Sequence, residues 1–159
     1  MNDINFLLRI LQKLKDNNIE VWLFGGWAEE LHQAIKPKAH GDIDLLYPEK
    51  NFYKLEKFMN DNSDIQEIQG KRFSHKRAFL FENIMVELFL VYKDDDQYMI
   101  NFFGKHEYKW PDNTFSKPIV YNEVKINIAS KKALSEYRKS REVIEKVRNE
   151  SLKKTKIIS

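Results

Sequence analysis

Cysteine is absent from the sequence. That removes disulfide frameworks and thiolate metal sites from consideration. No run approaches the roughly 20 apolar residues of a membrane-spanning helix. The opening stretch, MNDINFLLRILQKLKDNN, lacks a basic leader and a small-residue cleavage site, so it reads as an amphipathic helix and not as a signal peptide. Neither a fixed-period repeat nor a low-complexity linker interrupts the chain. These absences lead to the expectation of a cytoplasmic protein with no membrane partner.

What is present is core material. Of 159 residues, 42% are apolar and 13% aromatic, which excludes disorder and suits one domain, residues 1–159, with a real interior. The net charge of +3 is unevenly spread. From Lys131 onward ten Lys/Arg face four Glu, while residues 1–130 carry 17 basic and 20 acidic side chains. A basic tail of this kind attracts polyanions, or it is simply a solvated helix face, and the second is the more economical reading.

Helical spacing of Phe6, Leu7, Ile10, Leu11 and Leu14 predicts a helix over 2–17. EVWLF (20–24) is β-prone and ends at Gly25–Gly26, and a helix is expected from Trp27 to Ile35, broken by Pro37. DIDLLY (42–47) reads as a strand halted by Pro48, and 50–62 as a helix with Phe52, Leu55, Phe58 and Met59 inward. β-like pieces follow at 65–69, 71–82 and 83–92, then a polar turn at Asp94–Asp95–Asp96. Single strands are expected at 98–104 and 120–129, and a last helix over 130–147 with Ser130 as N-cap. The order predicts an α/β (α+β) fold, a mixed sheet with helices mainly on one face. A doubly wound dinucleotide fold is disfavoured: the glycine pair lacks the G-x-G-x-x-G spacing, and the late strands follow one another without helices.

Alternation along a strand sends Asp42 and Asp44 to one side and Ile43 and Leu45 to the other, into the core. Two carboxylates that close raise one another's pKa unless a cation lies between them. Oxygen ligands suit a hard ion, Mg²⁺ or Mn²⁺, whose shell is completed by water and substrate phosphates. D-x-D alone is a weak signal. A strand ending in Gly-Gly, a helix opening there, and a D-x-D strand shortly after is a much rarer arrangement, and glycine at a helix start lets backbone N–H groups approach phosphate. Glu87 interrupts the apolar strand IMVELFLV. An unpaired charge there is costly, so Glu87 either faces solvent or joins the site, as a metal ligand or as a general base. Glu82, beside a turn, is its competitor.

At these residues the chain resembles the small antibiotic nucleotidyltransferases of the polymerase-β-like superfamily, with aminoglycoside 2″-adenylyltransferases and short lincosamide nucleotidyltransferases most similar. The shared signature is Gly25–Gly26, then Asp42 and Asp44, then a carboxylate on a later strand; a basic-x-His lead-in appears as Lys38 and His40. The match is strong over residues 21–47 and rests on element order elsewhere. Many relatives carry Asp as the third carboxylate where this chain offers Glu87. The resemblance implies a nucleotidyltransferase fold and Mg²⁺ held by Asp42, Asp44 and Glu87. It further implies an NTP co-substrate, ATP in the first instance, bound near Gly25, Gly26, Lys38 and His40. A hydroxyl of a small molecule, an aminoglycoside or lincosamide among the candidates, would be the acceptor. Nucleic acid is not an expected partner. The short acceptor-binding half hints that a second subunit, in a homodimer, completes the pocket.

Other readings stay open. His40 touches phosphate or only caps and packs, Trp27 reads as core, and KRFSHKR (71–77) reads as an exposed hairpin before a ligand wall. Lys131 and Lys132 reach phosphate or end in solvent, and EYKW (107–110) is loop packing or an acceptor wall. His75 and His106 lack metal-ligand spacing. Two further functions compete with antibiotic modification: a toxin–antitoxin-type nucleotidyltransferase acting on a protein, and a catalytically retired domain that holds nucleotide or nucleic acid. The D-x-D pair speaks against the last, since a retired site has no need of mutually repelling acids.

Overall fold

Asp3 caps the first helix by accepting a hydrogen bond from the Phe6 N–H at 2.9 Å, and helix α1 (Ile4–Asp16) buries Phe6, Leu7, Ile10 and Leu14. The structure is a computed structural model that describes residues 1–158, with side chains through Lys153. Strand β1 (Trp22–Phe24) runs directly into helix α2 (Gly25–Leu31), which starts at the glycine pair itself, two residues before the expected Trp27. Strand β2 (Asp42–Pro48) and helix α3 (Tyr53–Asp61) follow as expected.

Strands β3 (Ile65–Glu67), β4 (Lys76–Phe81) and β5 (Ile84–Asp94) come next. The stretch expected to be strand from residue 71 becomes one only at Lys76. A short 3₁₀ turn occupies Gln69–Lys71, and Phe73 and Lys76 exchange both backbone hydrogen bonds across a tight turn. The aspartate run does turn the chain: Asp95 and Asp96 adopt φ of 46° and 65° between β5 and β6 (Gln97–Phe102). Strand β7 (His106–Lys109) lies where loop packing was expected. The single strand expected over 120–129 is instead a hairpin, β8 (Ile119–Tyr121) and β9 (Val124–Ile126). Asn122 and Glu123 bend it at φ of 46° and 67°, a conformation Asn tolerates well. Helix α4 (Lys131–Ile158) runs well past the expected Val147.

The main sheet has the order β1-β2-β5-β4-β3, with β6 paired to the distal part of β5 and β7 to β6. Only β2–β5 is parallel among its pairs; the others are antiparallel. The result is the mixed α+β architecture expected. Phe6 of α1 packs on Phe81, and Phe58 of α3 on Phe79, on one face. On the opposite face Tyr137 of α4 meets Phe24 edge-on at 5.5 Å. The outer edge of β1 is not left open: the Leu23 N–H donates to Asn127 O and its carbonyl accepts from the Ala129 N–H, both at 2.9 Å. Among the described residues no helix is long and apolar enough to cross a membrane.

Candidate active site

The parallel register of β2 and β5 sets Asp44 opposite Glu87. The same row continues to Phe24 on β1 and Ala78 on β4, so one sheet face carries an acidic pair flanked by an aromatic and a small residue. Asp42 lies two residues before Asp44 on the same face. One carboxylate oxygen from each of Asp42, Asp44 and Glu87 falls within 4.8 Å of the others. The structure therefore brings together all three acids singled out in the sequence. Glu82, the competitor, lies elsewhere, exposed and paired with Arg9 at 2.9 Å.

The three acids differ electrostatically. Burial, then the charges of Asp42 and Glu87, push the Asp44 carboxyl well above the ordinary carboxylate range. Asp42 is raised as well, by burial and then by Glu87. Burial also pushes Glu87 upward, but Lys71 and Lys76 outweigh it and hold it below its ordinary value. Their Nζ atoms stand 2.8 and 3.3 Å from its Oε1. Lys76 is itself buried, and burial lowers its pKa against the pull of Glu87. A set of three oxygen donors, two of them carrying repulsion that a cation would relieve, fits a hard divalent ion.

Gly25 is required twice over. Its φ is +74°, and a Cβ there would lie 2.5 Å from Asp44 Oδ2. The glycine bend is thus packed directly on the acidic pair. At Gly26 a Cβ would meet the His40 ring at 3.0 Å. That ring is fixed by Glu30, whose Oε1 contacts His40 Nε2 at 2.9 Å and also accepts the Lys38 backbone N–H at 3.0 Å. Trp27 lies against it, ring centroids 4.3 Å apart. His40 is therefore a packed positioning side chain, and neither it nor Lys38 is among the residues that line the cleft. Asn2 completes this frame. Its amide donates to the carbonyls of His40 and Asp42, and its oxygen accepts from Trp27 Nε1.

The acids and Gly25–Gly26 open onto a cleft of about 430 Å³. Its apolar wall includes Phe89, Phe102, Phe103 and Tyr137. The 71–77 segment is not an exposed hairpin: Lys71, His75 and Lys76 line the cleft, and His75 and Lys76 are buried. His75 Nδ1 accepts the Phe103 N–H at 3.1 Å, which leaves the ring proton on Nε2. Burial, then Lys76, lowers its pKa to about 3, so it is neutral. The far wall belongs to α4, through Tyr137, Arg138, Arg141, Glu145 and Arg148. Arg138 pairs with Glu29 of α2. Lys131 and Lys132 are exposed and line no part of the cleft. The sequence did hold a signal for the α4 residues: positions 137, 141, 144 and 148 recur at the spacing of one helical face.

A model of the aminoglycoside-2″-adenylyltransferase family matches residues 6–151. The chain belongs to that family. Its fold is shared with two solved structures of low identity. One is ANT(2″)-Ia in complex with adenylyl-2″-tobramycin: 16% identity, 89% of this chain and 78% of that chain covered, TM-score 0.65. The other is the lincosamide antibiotic adenylyltransferase LnuA, lincomycin-bound: 19% identity, 83% of each chain covered, TM-score 0.66. No curated protein sequence matches the chain. Family membership supports nucleotidyl transfer as the enzymatic activity, and the structural likenesses establish the nucleotidyltransferase fold.

Proposed function

We propose that the chain is a metal-dependent nucleotidyltransferase that moves a nucleoside monophosphate, AMP from ATP in the first instance, to a hydroxyl of a small molecule of the antibiotic class. The observation that carries the reading is the convergence of Asp42, Asp44 and Glu87 within 4.8 Å, directly beneath the Gly25 bend, at the base of a cleft. Membership of the aminoglycoside-2″-adenylyltransferase family supports it. An NTP donor also favours a cytoplasmic setting.

Asp42, Asp44 and Glu87 are the residues that would hold Mg²⁺ or Mn²⁺, and a divalent ion bound there neutralises charge on the triphosphate. The backbone at Gly25–Gly26 has no side chain to block close approach of phosphate. Arg141 and Arg148 supply guanidinium groups from the opposite wall, suited to phosphate oxygens. Lys38, whose Cε lies near Gly26, is the remaining candidate for a phosphate contact; His40 holds the loop that presents it. The acceptor oxygen attacks the α-phosphorus; an O–P bond forms as the bond from the α-phosphorus to the bridging oxygen breaks, and pyrophosphate leaves. The hydroxyl proton passes to Glu87, which Lys71 and Lys76 keep ionised at neutral pH. Positioning and charge neutralisation provide most of the acceleration in such transfers.

A pyrophosphate-release assay with each NTP and a panel of aminoglycosides and lincosamides tests the proposal. Asp42→Asn is expected to lose roughly 100-fold or more of the rate while its circular dichroism stays native. Full turnover by that variant would remove the metal assignment.

A further inference from the structure

His75 has no part in the chemistry proposed above, yet its ring is built as a ligand contact. It lines the cleft while remaining only 3% exposed. Phe103 and Phe102 box it in, ring centroids 4.5 and 5.2 Å away. Nδ1 is committed, because it accepts the Phe103 N–H at 3.1 Å. The ring proton therefore sits on Nε2, which can only donate. No group among the described residues accepts from it. The fully buried side-chain polar atoms without a partner, among the described residues, are the Tyr47 hydroxyl, Asn101 Oδ1 and Trp110 Nε1. His75 Nε2 is not one of them, so the little surface the ring keeps includes this N–H, on the cleft side. Burial, then Lys76, keeps a second proton off the ring, which makes it a neutral donor with one fixed direction.

Its place in the sheet says which ligand it meets, given the nucleotidyltransferase reading above. The order β1-β2-β5-β4 puts the glycine bend, at the end of β1, on one side of the acids and β4 on the other. His75 immediately precedes β4, and its carbonyl accepts the Leu90 N–H of β5 at 2.8 Å. The next residue, Lys76, stands 3.3 Å from Glu87 Oε1. In phosphoryl transfer the attacking and leaving oxygens lie roughly in line. With pyrophosphate toward the glycine bend, the acceptor enters from the β4 side, where Glu87 takes its proton. We infer that His75 is an acceptor-binding residue whose Nε2–H donates a hydrogen bond to an oxygen of the acceptor, beside Glu87. The bond holds the acceptor hydroxyl in reach of the base. It also selects: an N–H left unpaired among aromatic rings is costly, so a compound with no oxygen at that point is rejected.

Two variants of the intact chain separate the ligand contact from the structural one. His75→Asn keeps an oxygen near Nδ1 to accept the Phe103 N–H and has no atom at the position of Nε2. His75→Gln keeps an amide N–H near Nε2 and loses the acceptor for Phe103. Tobramycin and lincomycin are the probes, their binding measured by calorimetry in Mg²⁺ with a nonhydrolysable ATP analogue, and urea midpoints report stability. Whichever probe the unaltered protein binds should bind His75→Asn about fivefold or more weakly, and His75→Gln within about twofold. The ATP analogue should bind both variants within about twofold of the unaltered protein. Stability should run the other way, with His75→Gln the less stable of the two. Long-range ¹H–¹⁵N spectra should show the proton on Nε2 before the probe is added and a shift of that resonance on addition. The inference is overturned by a proton on Nδ1, by undiminished probe binding to His75→Asn, by probe losses that follow stability, by a loss confined to the ATP analogue, or by binding of neither probe. Failure of the nucleotidyltransferase reading looks different: the ATP analogue would not bind the unaltered protein in Mg²⁺, and the inference would fall with it.

Discussion

Gly25 shows most directly what one residue does here. Its φ is positive, and any Cβ at this position would come within 2.5 Å of Asp44 Oδ2. Gly25→Ala must therefore strain the backbone and displace an acid of the site together. We expect a loss of about 2 kcal/mol or more in stability, read from the urea midpoint, with activity falling further than stability alone explains. His75 offers a second residue-scale prediction. Its folded pKa, near 3, lies below the ordinary value near 6.5. The unfolded chain therefore binds the extra proton between those limits, and stability rises with pH across them. The contribution of neutral His75 is complete above about pH 6.5 and is lost as pH falls toward 3. Urea midpoints over that range should fall less steeply with acid for His75→Gln than for the unaltered protein. Legibility at this scale was uneven. Alternation and the cost of crowding like charges led to Asp42, Asp44 and Glu87. Nothing local showed that Lys71 and Lys76 would close on Glu87, because that contact depends on β4 pairing beside β5.

At the scale of elements, the site is a junction of four pieces: β2, β5, the β1–α2 bend and α4. The first three were readable because their side chains alternate with period two or because glycine marks the bend. The hairpin at β8–β9 was hidden inside a run that looked uniformly β-prone, its turn resting on Asn122 and Glu123 without a glycine. Likewise, the length of α4 was underestimated because few apolar residues follow Val147. Its charged side chains line a cleft instead of a core. Asn2, just before α1, is the clearest missed contributor, a polar residue whose partners at Trp27, His40 and Asp42 are distant in sequence. Asn2→Ala removes three hydrogen bonds and leaves Trp27 Nε1 without its acceptor. The expected cost is about 2–3 kcal/mol, seen as a lower melting temperature, with a matching rise in hydrogen exchange at the start of β2.

For the molecule as a whole, the balance between metal and protein should be visible in its stability. Without a cation the raised pKa values of Asp42 and Asp44 mark charge that opposes folding. A ligand bound only by the folded state adds about 2.7 kcal/mol at a hundred times its Kd, worth several degrees in melting temperature for a chain of this size. Scanning calorimetry should show Mg²⁺ raising the melting temperature of the unaltered protein and leaving Asp42→Asn unmoved. In metal-free buffer Asp44→Asn should melt above the unaltered protein, since it deletes the repulsion. An equal response of Asp42→Asn and the unaltered protein to Mg²⁺ would place the ion elsewhere.

The hydrogen bonds from Leu23 to Asn127 and Ala129 give β1 two neighbours of very different origin. On one side lies the strand that carries the acids, and on the other the last turn of chain before the arginine-bearing helix. A single backbone strand three residues long thus couples the floor of the site to its ceiling. The chain that leads into the helix is thus hydrogen-bonded to the strand that ends at the glycine bend, on the side away from the acids. A nick in the loop after Trp110 would leave the two fragments stitched together, because the C-terminal piece holds its place by lying along the edge of the N-terminal one.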